Sequence, residues 1–184
     1  MSAPQLWRSE LLGETGLLEL PQGRLEYHRR GGGPALVFCH GWLANGNLWR
    51  KVVELLCADF TCFTLELPLG SHRLEMDETA DLSPKGCGAL IADAITALGI
   101  DEVTLIGNDS GGAYSQIAVA ERPERVRRLV LNSCETPYDE FPPPPFDGLP
   151  AAATDPATLG TLLGALGDRA VRATPPAYGL LIKH

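Results

Sequence analysis

The segment Gly107-Asn108-Asp109-Ser110-Gly111-Gly112 follows an apolar run, Val103 to Gly107, and precedes a stretch that reads as a helix to Glu121. In a strand–turn–helix setting, a small-x-nucleophile-x-small pattern exposes its central side chain on a strained turn. The small residues two places away let neighbouring backbones pass. Counting two outward, Gly107 and Gly111 centre on Asp109. Centring on Ser110 puts Asn108 at a small-residue position, so Asp109 is the preferred nucleophile and Ser110 the alternative. The two imply different chemistry. A carboxylate attacks the carbon of an epoxide or alkyl halide and forms an ester that water then cleaves, whereas a serine attacks a carbonyl. Helix capping by Asn108 and Asp109 is the bland reading, but a cap needs no glycine on both flanks. The G-x-G-x-x-G spacing of a dinucleotide site is absent.

Such a turn needs a sheet beneath it. Thr15 to Leu20 and Arg24 to Arg29 read as two strands around the turn Pro21-Gln22-Gly23. Ala35 to Cys39 is a continuous apolar run, as in a parallel strand covered on both faces, and it ends in His40-Gly41-Trp42. Asn47 to Ala58 carries Leu48, Val52, Leu55 and Leu56 at helical spacing, and Phe60 to Leu67 reads as a strand. Ser83-Pro84 opens a helix with an N-cap and a first-position proline, and Gly99 stops it. Pro123 ends the helix after the elbow, and Val126 to Leu131 is a further strand. The alternation predicts an α/β fold: a mostly parallel sheet with helices on both faces. The character changes after Glu135. Phe141 to Phe146 is proline-rich, and Asp155 to Ala173 reads as one helix weakened by Gly160, Gly164 and Gly167. The expected domains are a core over 1–135 and the start of a lid over 136–184.

Together, His40-Gly41-Trp42, Leu48-Trp49-Arg50, the Gly107 to Gly112 elbow and Pro123-Glu124-Arg125-Val126 resemble the α/β-hydrolase superfamily. The similarity is to its aspartate-nucleophile branch, haloalkane dehalogenases and epoxide hydrolases. It covers residues 15–135 well and the lid loosely. The resemblance implies an oxyanion hole from the backbone N–H groups of Trp42 and Ser110. It makes His40 structural, along with Gly41, Gly107 and Gly111, and makes Glu135 the acid that orients a base. Dehalogenases usually hold the leaving halide with a tryptophan after the nucleophile and an asparagine after His-Gly; Ser110 and Trp42 stand there in this sequence. Epoxide hydrolases open the ring with lid tyrosines, for which Tyr138 and Tyr178 qualify by location.

The family's base histidine follows the last strand, beyond the lid. None of the histidines His28, His40, His72 and His184 has that place in the order. The sheet also reads as incomplete, with an open edge that favours self-association. The expectation is therefore a C-terminally truncated hydrolase. Its alternatives are a serine-type esterase using Ser110 and a non-catalytic remnant that binds a small molecule or partner.

Composition agrees with a globular domain: 45% hydrophobic and 21% charged residues in 184. A net charge of -8 excludes a general nucleic-acid binder. The one basic cluster, Arg122, Arg125, Arg127 and Arg128, reads as solvated rim. The five cysteines are odd in number without C-x-x-C spacing, so they read as reduced thiols, with Cys39, Cys62 and Cys134 buried in strands. No leader and no membrane span is read, which points to a cytoplasmic protein. The expected partner is a small-molecule substrate, with no metal or cofactor.

Overall fold

A computed structural model of the chain describes residues 7–137, 144, 147–152, 154–165, 167–172 and 174. The chain divides into two compact units, Met1–Pro137 and Tyr138–His184. The first unit carries β1 (Glu14–Leu20), β2 (Gly23–Gly31), β3 (Ala35–Cys39), α1 (Arg50–Leu56), β4 (Thr61–Leu65), α2 (Pro84–Ala97), β5 (Val103–Asn108), α3 (Ser110–Glu121) and β6 (Val126–Asn132). The strands form one six-stranded sheet in the order β1-β2-β4-β3-β5-β6. β1 and β2 form a hairpin, and β2 pairs antiparallel with β4. The β4, β3, β5 and β6 strands run parallel.

The pleat sorts the apolar strand residues between two faces. Leu36 and Phe38 of β3 and Cys62 of β4 join Trp49 and Val53 in one buried cluster, with the Phe38 and Trp49 rings 5.1 Å apart. The alternating residues Val37, Val103 and Leu105 are just as buried and belong to the other face. There α3 packs on β5, and α2 packs on α3. β6 lies at the sheet edge with Val130 and Leu131 largely exposed, and among the described residues it pairs with β5 alone.

Four expectations shift. The helix expected over 47–58 begins as a 3-10 turn at Gly46–Trp49 and becomes α-helical only over Arg50–Leu56. Its buried face is Trp49 and Val53, while Leu48, Val52 and Leu55 are exposed. Several apolar spacings compete on this segment, and Trp49, the largest side chain, takes the sheet. Cys134 is only partly buried; Cys87 on α2 joins Cys39 and Cys62 as the third buried thiol. In the second unit, the helix expected over 155–173 is α5 (Pro156–Ala165) and α6 (Arg169–Arg172), after a short α4 (Leu149–Ala152). The break follows the glycines: the Gly167 N–H turns back onto the Gly164 carbonyl, and the Asp168 carboxylate then accepts from the Ala170 N–H and starts α6. The basic rim is not merely solvated. Arg122 pairs with Asp93, Arg125 with Asp101 and Arg127 with Glu102. Tyr178, His184, Tyr138 and the proline-rich stretch, apart from Pro144, lie outside the described residues.

The crossing of β5 and α3 leaves no room for side chains. A Cβ on Gly107 would stand 2.5 Å from the Gly112 Cα, and one on Gly111 would run into the His40 carbonyl oxygen. Both obstacles are backbone and cannot rotate away. Gly111→Ala is therefore expected to destabilise the fold by about 2–3 kcal/mol, read as a lower urea midpoint. An unchanged midpoint would show that the loop yields.

Candidate active site

Asp109 stands between β5 and α3 at φ 56°, ψ -138°, in the positive-φ region that L-residues rarely occupy. A non-glycine residue held there between a strand and a helix stores backbone strain. Several contacts hold it. Its N–H donates to the Ser133 carbonyl at 3.0 Å, just beyond β6, and the Asn108 amide donates to the Asn132 carbonyl at 2.7 Å. Gly41 must be glycine for the loop after β3 to approach, because a Cβ there would collide with the Asp109 carboxylate.

Three donors converge on one carboxylate oxygen. Asp109 Oδ1 accepts from the Trp42 N–H at 3.1 Å, the Ser110 N–H at 2.7 Å and the Ser110 hydroxyl at 3.0 Å. Oδ2 accepts no hydrogen bond among the described residues. A plain N-cap carboxylate bonds the N–H groups of the second or third helical residue. Asp109 is the N-cap of α3, bonding the N–H of the first helical residue, and it also accepts from the distant Trp42 N–H, which a cap alone does not require. Ser110 is the first residue of α3, buried, with its hydroxyl directed to Asp109 rather than outward.

His40 is fully buried, and both ring nitrogens are engaged. The Leu67 N–H donates to Nε2 at 3.0 Å, which leaves Nδ1 as the donor to the Gly41 carbonyl at 2.9 Å. Burial pushes its pKa down, against the pull of the Gly41 carbonyl and the Glu66 charge. It is a neutral brace for the Gly41-Trp42 loop. Trp42 is partly exposed, with its N–H on Asp109.

Glu135 follows β6. The Gln116 amide donates to its carbonyl at 2.9 Å, and its Oε2 is buried without a hydrogen-bond partner. Burial raises its pKa, and the Asp109 charge adds to the rise. The folded carboxyl is thus raised above its unfolded value. Ionisation works against the fold, and the penalty is relieved as pH falls through the folded pKa. Glu135→Gln is expected to gain about 1 kcal/mol at pH 7, the low end for an unsatisfied buried group that is partly open to solvent. The gain should vanish at acidic pH. Urea unfolding at pH 7 and pH 4 measures it, and a less stable variant at pH 7 would contradict the assignment.

One cluster was not anticipated from the sequence. Glu26 and His28 on β2 and Glu66 after β4 are buried together, with one ligand-type atom from each within 4.8 Å of the others. Their carboxylates already face cations. Arg8 makes two hydrogen bonds to Glu66, at 2.9 and 2.6 Å, and Arg73 pairs with Glu26. Glu66 Oε1 also accepts from the Gly46 N–H at 3.0 Å and contacts His28 Nε2 at 3.2 Å. A metal ion would displace or repel two guanidiniums, so the donor set suits an ion-pair network. Glu26 and His28 share one face of β2 two residues apart, a spacing that by itself reads equally as a solvated strand face.

The site faces the carboxyl end of the parallel strands, where open α/β sheets bind ligands. The cavities lined by Ala92, Ile95, Ala118 and Val126, and by Gly33, Ala35, Thr61 and Glu102, draw on residues at the amino ends of β6, β3, β4 and β5. They have no part in the chemistry of Asp109.

Residues 34–167 match the alpha/beta hydrolase fold family, and the chain belongs to it. Haloalkane dehalogenase 2 of Mycobacterium bovis is 28% identical over 127 residues, 65% of this chain and 42% of that protein. The pimeloyl-[acyl-carrier protein] methyl ester esterase of Vibrio campbellii is 31% identical over 106 residues, 58% of this chain and 39% of that protein. Among solved structures, one of the epoxide hydrolases from metagenomes of hot environments matches with a TM-score of 0.59 and 25% identity, over 68% of this chain and 44% of that one. A putative hydrolase from Bacillus subtilis matches in fold with a TM-score of 0.64, 18% identity, over 83% and 54%. The chain thus spans about two fifths of the curated relatives it matches. No helix among the described residues is long and apolar enough to cross a membrane.

Proposed function

We propose that this chain carries the nucleophile and oxyanion hole of a hydrolase that opens a small apolar electrophile, an epoxide or haloalkane, through an ester on Asp109. The observation that carries the reading is the convergence of the Trp42 and Ser110 N–H groups on Oδ1, with Oδ2 left to react. In this reading Oδ2 attacks the electrophilic carbon as the C–O or C–halide bond breaks; the epoxide oxygen leaves as an alkoxide that takes a proton from solvent, and a halogen leaves as halide. Hydroxide or activated water then adds to Cγ, and charge develops on Oδ1 between donors already in place. Collapse breaks the Cγ–Oδ2 bond, frees the alcohol and restores the carboxylate. Glu135, with its unpartnered buried Oε2, would orient the imidazole that activates water. Among the described residues, His28, His40 and His72 hydrogen-bond neither Asp109 nor Glu135, so none of them is assigned that role.

The similar proteins divide between dehalogenase and esterase, so the nucleophile is argued from geometry. The strained elbow position belongs to Asp109, and the Ser110 hydroxyl is turned onto it. The chain is expected to gain the full mass of an aryl epoxide, or the alkyl mass of a bromoalkane with loss of bromide, and to ignore a fluorophosphonate. A fluorophosphonate adduct that disappears in Ser110→Ala would overturn the reading in favour of a serine esterase.

A further inference from the structure

We infer that the Ser110 hydroxyl is a third oxyanion donor, acting on ester cleavage and not on ester formation. The inference rests on Asp109 being the nucleophile. Serine inside a helix commonly donates back to the carbonyl four residues earlier, as Ser115 does to Gly111 at 2.6 Å. Ser110, at the first helical position, has no helical carbonyl four residues back, and its hydroxyl donates to Asp109 Oδ1 at 3.0 Å. It does so from a site only 7% exposed, where water competes little and a fixed dipole acts at low dielectric. Its target is the oxygen that the Trp42 and Ser110 N–H groups already hold.

The two chemical steps respond to this donor in opposite senses. In ester formation the carboxylate gives up its charge, so a donor on Oδ1 stabilises the starting state and slows attack slightly. In cleavage, hydroxide adds to Cγ, Oδ1 takes the charge, and the same donor lowers the barrier. A residue that merely supported the fold would change both steps in the same direction.

The test follows both steps by intact mass on the 184-residue chain. Ester formation is timed with an aryl epoxide, the reagent is removed, and loss of the adduct is timed at pH 9, where hydroxide cleaves without a protein base. Removing one oxyanion donor in other hydrolases costs about 10²–10³ in rate. For a third donor beside two that remain, Ser110→Ala is expected to slow adduct loss by about 10-fold or more, with formation unchanged or faster. Ser110→Thr and Ser110→Val, nearly equal in shape, separate the hydroxyl from packing and serve if the alanine variant does not fold. The threonine form should lose its adduct at least several-fold faster than the valine form. Equal loss rates in that pair, or a Ser110→Ala variant slowed equally in both steps, would overturn the inference. If the parent forms no ester at all, the Asp109 reading fails first and takes this inference with it, and that outcome is visible before any Ser110 variant is made.

Discussion

Asp109→Asn is expected to capture an aryl epoxide at least about 10⁴-fold more slowly than the parent, on the scale seen when other hydrolases lose a nucleophile. The asparagine amide has nearly the carboxylate's shape. Its oxygen can still accept from the Trp42 and Ser110 N–H groups that now hold Oδ1. The turn at φ 56° already tolerates a side chain there, and asparagine adopts positive φ more readily than most residues. The substitution thus removes the nucleophilic charge and keeps the architecture. The measurement is the rate of mass gain beside the thermal midpoint. A slow variant with an unchanged midpoint supports the assignment. Capture at the parental rate would place the reactive group elsewhere.

The second large effect concerns stability. Glu66→Ala is expected to cost about 3–5 kcal/mol, the range for removing one partner of a buried ion pair. The Glu66 and Arg8 side chains are 2% and 7% exposed, so the Arg8 guanidinium would be left in the interior without its counter-charge. The Gly46 N–H and His28 would lose an acceptor as well. Burial alone would raise the Glu66 pKa, but the hydrogen bonds from His28 and Arg8 and the Arg8 charge outweigh it and hold the carboxyl below its ordinary value near 4.5. With the folded pKa below the unfolded one, the contribution is fully present above about pH 4.5 and is lost as pH falls through the folded pKa. The parent should therefore lose stability on acidification over that window, and Glu66→Ala should lose less. Urea midpoints of both proteins between pH 3 and 7 read this directly. Equal acid slopes would show that the stabilising charge lies elsewhere.

The elements that place Asp109 were legible because each has a short-range cause. Ser83 caps α2, its hydroxyl accepting from the Gly86 N–H at 3.2 Å, and Pro84 takes the first helical position. Gly107 and Gly111 announce the backbone crossing that their surroundings require. A structural role for His40 came only with the family resemblance; its two ring hydrogen bonds, to the Gly41 carbonyl and from the Leu67 N–H, are consistent with that role. The burial face of α1 was not legible. Leu48, Val52 and Leu55 satisfy the helical period as well as Trp49 and Val53 do, and only the Phe38 ring across the interface decides between them. Glu26, His28 and Glu66 escaped for a related reason. Charged residues in a strand read as a solvated face unless their partners are known, and Arg8 is 58 residues away from Glu66 along the chain. The pairing of the Trp42 N–H, 67 residues from Asp109, with the Ser110 N–H came from the family resemblance and from no local pattern; the Ser110 hydroxyl on Asp109 Oδ1 was signalled by neither.

The most direct test of the account is the location of the covalent bond. The chain is treated with an aryl epoxide, digested, and the modified peptide is sequenced by tandem mass spectrometry, with a parallel sample exposed to alkaline hydroxylamine. The added mass is expected on Asp109, and hydroxylamine is expected to remove it, as an ester requires. An adduct on Ser110, on Cys134, or one that resists hydroxylamine would contradict it.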